Sequence, residues 1–100
     1  MTTIEIKHTI QNKTPTDCFN AACLAYPRLG FTIWKKREIA WLVLAKKKVE
    51  AMEIDSNLSA RPGNPTSINI SVSSEKLAQD EINDIGNQIL TELIKFLTLS

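Results

Sequence analysis

Strict alternation of apolar and polar residues marks one stretch near each end of the chain. In Thr3–Ile10, three isoleucines share a parity with His8, and threonine, glutamate and lysine occupy the other positions. In Ser67–Ser73, aliphatic residues alternate with serine and asparagine. A period of two indicates a strand with one face on the core and one in water. Both stretches are therefore predicted to be strands of a sheet covered on one face.

The most apolar stretch lies between these two and contains both tryptophans. Phe31–Trp34 is aromatic or β-branched, which suits a pleated surface. Ile39–Ala45 is an unbroken apolar run, which is typical of a buried strand. Lys36–Glu38 separates the two and is short enough to be a tight connection. The pattern predicts a central β-hairpin.

A single helix over residues 37–54 is the alternative, because apolar residues there also recur near helical spacing among good helix formers. Residues 41–44 would make that helix apolar on all sides, which a small domain covers poorly. The hairpin is favoured for that reason.

A third antiparallel strand is then predicted at Val49–Ser56. Asn57–Thr66 is predicted to be a loop, because it contains Pro-Gly and Asn-Pro pairs.

Two amphipathic helices are predicted. The first begins at Thr14, with a proline next and Asp17 completing a capping box. It should end between Tyr26 and Leu29, where Gly30 can close the turn with positive φ.

The second predicted helix is long and begins at a cap at Ser73 or Ser74, unless residues 77–79 form a separate turn before Asp80. Gly86 lies within its apolar stripe. Glycine is unfavourable inside a helix by about 1 kcal/mol, so we expect it to mark a close approach to a strand.

The predicted order is β-α-β-β-β-β-α. An antiparallel sheet with one wet face and two amphipathic helices predicts an α+β fold. We expect a two-layer sandwich with both helices on one face, forming a single domain over residues 1–100.

The chain resembles a group of small bacterial α+β domains between about Thr14 and Leu97. The features that carry the resemblance are Leu29–Phe31 leading into the sheet, the serine-rich strand end at Ser71–Ser74, and a Gly-Asn step at Gly86–Asn87. The architecture of that group is similar to the helix-grip repeats of an outer-membrane assembly lipoprotein and to the TATA-box-binding-protein-like fold. The resemblance implies a fold and no activity.

Composition and charge exclude several classes of function. The chain is 43% hydrophobic with a net charge of +1, so no overall field favours nucleic acid or anionic membranes. No apolar run approaches the roughly 20 residues of a membrane-spanning helix. Cys18 and Cys23 would point to different sides of the first helix, and His8 is the only histidine. We expect no disulfide and no metal site, and a reducing, cytoplasmic location.

Catalytic signatures are not found in the sequence. It has no glycine-rich phosphate loop and no G-x-S-x-G, C-x-x-C or H-E-x-x-H motif. Asp80 and Asp84 are neighbours on a helix among polar residues, which is typical of a solvated face. We therefore expect no catalytic, metal-binding or cofactor-binding residues, no cofactor, and a protein that is not an enzyme.

The surface expected to bind a partner is the central hairpin. Its candidate binding residues are Trp34, Lys36, Arg37 and Trp41, which combine aromatic anchors with positive charge. They predict a non-enzymatic binding or assembly module that uses an exposed sheet face or an edge strand. The partner is expected to be a protein or a second copy of the chain in a homodimer, because adjacent apolar residues would face both sides of the hairpin. Nucleic acid is not expected, since the lysine clusters at 35–37 and 46–48 are predicted at opposite ends of the sheet.

An apolar ligand pocket is the alternative function. It would lie between the sheet and the C-terminal helix and be lined by Phe19, Tyr26, Ile89 and Phe96. A hundred residues leave little spare volume for such a pocket, which usually exceeds about 300 Å³.

Overall fold

The strands and helices follow one another in the predicted order. The structure is a computed structural model that describes the backbone of residues 2–99 and the side chains of residues 2–98. Its elements are β1 (Thr2–Ile10), α1 (Pro15–Arg28), β2 (Thr32–Arg37), a 3₁₀ turn (Glu38–Ala40), β3 (Leu42–Val49), β4 (Met52–Arg61), β5 (Thr66–Ser74) and α2 (Gln79–Leu99). The predicted α+β fold class is confirmed.

The five strands of residues 2–99 form one antiparallel sheet in the order β1-β5-β4-β3-β2, so β1 and β2 are its edges. The α1 helix packs on β2, β3 and β4, and α2 packs on β1 and β5. We call the side that carries both helices the inner face and the other side the outer face. Even-numbered residues of β4 and β5, such as Leu58 and Ile70, are buried on the inner face. The two-layer sandwich is confirmed.

The α1 helix begins and ends where the sequence predicts. The backbone N–H of Asp17 donates to Thr14 Oγ1 at 3.1 Å, and the N–H of Thr14 donates to Asp17 Oδ2 at 2.9 Å. These bonds form the expected capping box. The backbone bond from Thr14 holds the pKa of Asp17 below its usual value. The helix ends at Arg28, and Gly30 has a φ of +88°, as predicted.

Gly86 marks the predicted close approach of α2 to a strand. A Cβ atom at this position would lie 2.7 Å from Cδ1 of Ile6 and 2.9 Å from Cδ1 of Ile4. Both distances are shorter than a van der Waals contact. The missing side chain therefore lets α2 pack closely against the side chains of β1, while it also packs on β5.

The hairpin itself forms, but its predicted connection is wrong. The chain turns at Glu38–Ala40 and at Trp41, which has a φ of +48°, while Lys36 and Arg37 belong to β2. The indole N–H of Trp41 donates to Thr16 Oγ1 in α1 at 3.2 Å, and the Trp41 ring packs against the core. This contact holds Trp41 out of the strand. The alternative helix over residues 37–54 is also wrong, since those residues form strands and turns.

The predicted loop at Asn57–Thr66 is wrong for most of its length. The third predicted strand begins later, at Met52, and continues to Arg61, so the loop shrinks to Pro62–Pro65. Alternation in this strand is hard to see because its buried positions include Ser56 and Ala60.

The predicted cap of α2 at Ser73 or Ser74 is also wrong. Ser74 belongs to β5, and its hydroxyl accepts a bond from the N–H of Lys76 at 3.3 Å in the turn before α2.

A buried hydrogen-bonded chain joins α1 to the sheet. The Ser56 hydroxyl donates to the backbone oxygen of Ser71 at 2.8 Å. Because that uses the only Ser56 proton, the Tyr26 hydroxyl must donate to Ser56 Oγ, 2.8 Å away. Tyr26 is fully buried, and desolvation raises the pKa of its hydroxyl well above the ordinary value. The hydroxyl of Ser56, at an inward position of β4, therefore has both a hydrogen-bond donor and an acceptor as partners inside the core.

Removing the Ser56 hydroxyl, in the middle of this hydrogen-bonded series, should lower the free energy of unfolding more than removing the Tyr26 hydroxyl at its end. We expect Tyr26→Phe to lower the free energy of unfolding by about 1 kcal/mol, since it removes one hydrogen bond and leaves no orphaned donor. Ser56→Ala should cost about 2–3 kcal/mol, because it leaves the buried Tyr26 hydroxyl without its acceptor. The double variant should cost less than the sum. Urea unfolding measures all three, and equal costs for the two single variants would contradict the assignment.

The two large apolar residues of the hairpin turn should differ in their effect on stability. Ile39 is 96% exposed, whereas Trp41 is half-buried and bonded to α1. Ile39→Ala should change the free energy of unfolding by less than about 0.5 kcal/mol. Trp41→Ala should lower it by about 2 kcal/mol, less than for a fully buried tryptophan. Thermal unfolding followed by circular dichroism provides the comparison, with Ile39→Ala as the matched control.

Candidate functional site

The outer face of the sheet has no helix over it in the part of the chain that the structure describes. On β1, β5 and β4 its side chains are polar or charged. They are Thr3, Glu5, Lys7, Thr9, Ser67, Asn69, Ser71, Ser73, Glu53, Asp55, Asn57, Ser59 and Arg61. The corner formed by β2 and β3 differs, because apolar side chains reach the surface there. We call this corner the Trp34 patch, comprising Trp34, Lys35, Arg37, Leu42, Leu44 and Lys46.

A β-bulge in β2 creates the Trp34 patch. Ile33 lies opposite Ala45 and Lys35 opposite Leu44, so Trp34 is an extra residue in the ladder. An extra residue reverses the parity of all later residues in its strand. Trp34 and Lys35 are neighbours in sequence and yet both lie on the outer face. Without the bulge, one of the two would point toward the helices.

Trp34 is 54% exposed and is flanked by a cation. Lys46 Nζ lies 5.2 Å from the centroid of the Trp34 ring, within the range of a cation–π contact. The same ammonium lies 3.1 Å from Glu53 Oε1 on β4. The ammonium thus lies over one face of the indole, while about half of the Trp34 surface stays in water.

The structure brings together two of the four predicted binding residues. Trp34 and Arg37 lie on the outer face, with Arg37 opposite Leu42. Lys36 lies opposite buried Val43 and therefore projects on the other side of the sheet. Trp41 lies in the turn, bonded to α1.

Four members of the patch were missed by the sequence analysis: Lys35, Leu42, Leu44 and Lys46. Their proximity to Trp34 depends on the bulge and on the register of β2 with β3. The sequence signal for them is limited to the alternation of apolar and basic residues along β3.

The two lysine clusters lie toward opposite ends of β3, as predicted, but they approach each other more closely than expected, because Lys35–Arg37 pair with Leu42–Leu44. Lys46 lies opposite Thr32, and Lys35 lies opposite Leu44. Lys35 and Lys46 are therefore only two residues apart along the ladder, about 7 Å. The predicted separation was too large because the prediction placed Lys35–Arg37 at the hairpin turn, whereas they belong to β2 and pair with β3.

A polar cavity of about 590 Å³ opens on the outer face across β1, β5 and β4. Its side chains include Lys7, Arg61, Glu5 and Asn69. The Asn69 Oδ1 atom is buried and has no hydrogen-bond partner among the described residues. The cavity and the Trp34 patch share one face of the sheet and differ in character, one polar and the other aromatic and basic.

The candidates for an apolar pocket belong to the core. Phe19, Tyr26 and Ile89 are buried, and Phe96 is half-buried against the same cluster. The Tyr26 and Phe31 rings pack edge to face, with centroids 5.4 Å apart. None of these side chains lines the outer-face cavity.

The thiols are poor nucleophiles. Burial, with a smaller contribution from Asp17, raises the pKa of Cys18 to about 11. Burial also raises the pKa of Cys23. Both thiols therefore stay protonated at neutral pH.

The described residues contain neither a metal-ligand cluster nor a membrane-spanning helix. Among residues 2–99, no three histidine, cysteine, aspartate or glutamate side chains come together as a metal site. In the same range, neither helix is long and apolar enough to cross a membrane.

The chain shares its fold with solved structures at low sequence identity. No protein-family model and no curated protein matches its sequence. Ara h 8.0201 is 12% identical with a TM-score of 0.63, over 96% of this chain and 94% of that one. A protein from Nitrosospira multiformis is also 12% identical, with a TM-score of 0.65, over 96% and 93%. The di-domain ARO/CYC protein BexL from the BE-7585A biosynthetic pathway is 8% identical with a TM-score of 0.57, over 98% of this chain and 44% of that one.

At these identities the likeness shows the fold alone. The expected helix-grip architecture is confirmed at that level, while the narrower likeness to the TATA-box-binding-protein-like fold and to lipoprotein repeats is not confirmed. The chain has a Bet v1-like, helix-grip fold.

Proposed function

We propose that the protein is a non-enzymatic binding module that binds an acidic segment of a partner protein on the Trp34 patch. The observation that carries the proposal is the exposed indole of Trp34 on a sheet face that the helices leave bare. Tryptophan and arginine are enriched among the residues that dominate binding energy. Arg37 lies near it on the same face, and half-buried Leu42 and Leu44 provide apolar surface beside the ring.

The charge of the patch favours an acidic partner. Lys35, Arg37 and Lys46 contribute three positive charges; Glu53 forms an ion pair with Lys46, and Asp55 lies opposite Lys46, so one net positive charge remains. The remaining positive charge would steer a negatively charged segment toward Trp34. A protein segment is favoured over single-stranded nucleic acid because Trp34 is the only aromatic side chain in the patch. Single strands usually stack on successive aromatic platforms along a continuous basic path.

Three defined probes test the proposal. They are an acidic peptide of alternating glutamate and leucine, its lysine counterpart, and a single-stranded oligonucleotide. We expect the acidic peptide alone to bind and to shift the Trp34 indole resonance. Trp34→Ala should weaken binding about thirtyfold, the effect of a hot-spot side chain. Arg37→Ala should weaken it less, because part of its charge interaction is screened.

The matched control is Lys76→Ala, an exposed lysine in the turn before α2 that should leave binding unchanged. If the oligonucleotide binds in preference to the peptide, the partner of the Trp34 patch is nucleic acid and not protein. Equal binding of the acidic peptide to wild type and to Trp34→Ala would refute the proposal.

The proposal includes self-association of the module through its sheet. The sequence-based reason for it was apolar surface on both faces of the hairpin. In the structure Trp41 leaves the strand, and the outer face is polar from β4 to β1. Stacking two outer faces would therefore bury little apolar area beyond the Trp34 patch. An edge strand is the better route for assembly.

A small apolar ligand between the sheet and α2 is the second candidate function. It is supported by the shared fold, including the likeness to the ARO/CYC protein BexL. Phe19, Tyr26, Ile89 and Phe96 would line the site. A fused-ring aromatic compound should then raise the melting temperature, and Ile89→Ala should strengthen binding by enlarging the space. No change in melting temperature with either protein would exclude this candidate.

A further inference from the structure

The β1 strand presents a long and regular free edge. It pairs with β5 without interruption from Thr2 to Ile10, and it contains no proline or glycine. Its nine residues exceed the usual strand length of about 5–6. No strand of the described chain lies on its other side. Every second residue of β1 therefore presents its N–H and C=O groups at the free edge.

The opposite edge is protected against strand addition. β2 has six residues, a bulge after Ile33, and the run Lys35–Arg37. Bulges and lysines are two of the devices that prevent edge pairing. β1 has no bulge and a single lysine, Lys7, so it is the less protected of the two edges.

The inner face of β1 is incompletely covered. Ile6, His8 and Ile10 are each half-buried, although they point toward the core side. Their cross-strand neighbours on β5, which are Ile70, Ile68 and Thr66, are buried to 2% exposure or less. An additional strand beside β1 would cover these three side chains.

The sequence of β1 is complementary to itself in one register. When two copies of Thr2–Ile10 pair antiparallel over their full length, Ile6 lies opposite Ile6. Glu5 of each copy then lies opposite Lys7 of the other on the outer face. Within one chain these two residues face Ser71 and Asn69 and form no ion pair among the described residues.

We propose that two copies of the chain pair through β1 about a twofold axis at Ile6, forming one continuous ten-stranded sheet. Such an interface is isologous, and the backbone bonds of strand addition hold it together. The opposed Glu5 and Lys7 set the register. The proposal rests on the self-association included in the proposed function, and it names the partner and the surface.

Charge reversal within β1 tests the register. Glu5→Lys and Lys7→Glu each place like charges opposite each other twice per dimer. We expect each to weaken dimerisation about tenfold, from the size of cross-strand charge pairs. In the double variant Glu5→Lys/Lys7→Glu opposite charges face each other again, and dimerisation should return to the wild-type level. Sedimentation equilibrium from micromolar to hundreds of micromolar measures all four proteins.

Two controls distinguish an effect on strand register from effects of net charge and of folding stability. Lys36→Glu makes the same change in net charge as Lys7→Glu but lies in β2, at the opposite edge of the sheet, and should leave dimerisation unchanged. Both β1 positions are exposed, so melting temperatures measured on dilute, monomeric protein should match those of wild type. Both single variants should still bind the acidic peptide, because the Trp34 patch lies at the opposite edge of the sheet.

Each remaining outcome is decisive. A wild-type protein that stays monomeric over the whole range overturns this inference and the self-association, while peptide binding at Trp34 is judged separately. A dimer that Trp34→Ala disrupts and the β1 variants do not would keep self-association and overturn pairing through β1. Failure of the double variant to recover would overturn the proposed register.

Discussion

The close approach of α2 to β1 depends on the absence of one side chain, at Gly86. The Cδ1 atoms of Ile4 and Ile6 fill the space that a Cβ would occupy, so the helix packs closely on β1 and its neighbour β5. The buried chain from Tyr26 through Ser56 holds α1 over the middle of the same face. Both helices therefore lie on the inner face, and no helix of residues 2–99 covers the outer face. The surfaces proposed for binding and for pairing both depend on this one-sided arrangement.

The β-bulge at Trp34 determines what that bare face can do. A regular strand would place neighbouring side chains on opposite faces. The extra residue instead puts Trp34 and Lys35 on the same side and beside Leu44 and Lys46. Elsewhere the outer face carries serine, threonine, asparagine and charged residues, which remain well hydrated. The bulge therefore concentrates apolar area and positive charge at one corner, and it also protects the β2 edge from pairing.

Local patterns were sufficient to predict β1, β5, the cap of α1 and the role of Gly86, because each depends on neighbouring residues or on strict alternation. The course of β4 could not be predicted in this way, since Ser56 is stable inside the core only with Tyr26, thirty residues earlier. Trp41 was misplaced because its partner Thr16 is twenty-five residues away. Half of the predicted binding residues share the outer face, and the rest of the patch depends on a register shift that composition does not reveal.

Pairing through β1 would give the two proposed surfaces a common geometry. A twofold axis perpendicular to the sheet keeps both outer faces on one side, so the two Trp34 patches would point in the same direction. They would lie at the outermost strands, nine strand spacings apart, or about 40 Å along a flat sheet. One partner with two acidic segments joined by a linker of that reach could then bind both patches, and the second contact would benefit from a high effective concentration. An open β1 edge and a protected β2 edge make a closed dimer rather than a chain of copies, since only one edge of each copy can pair.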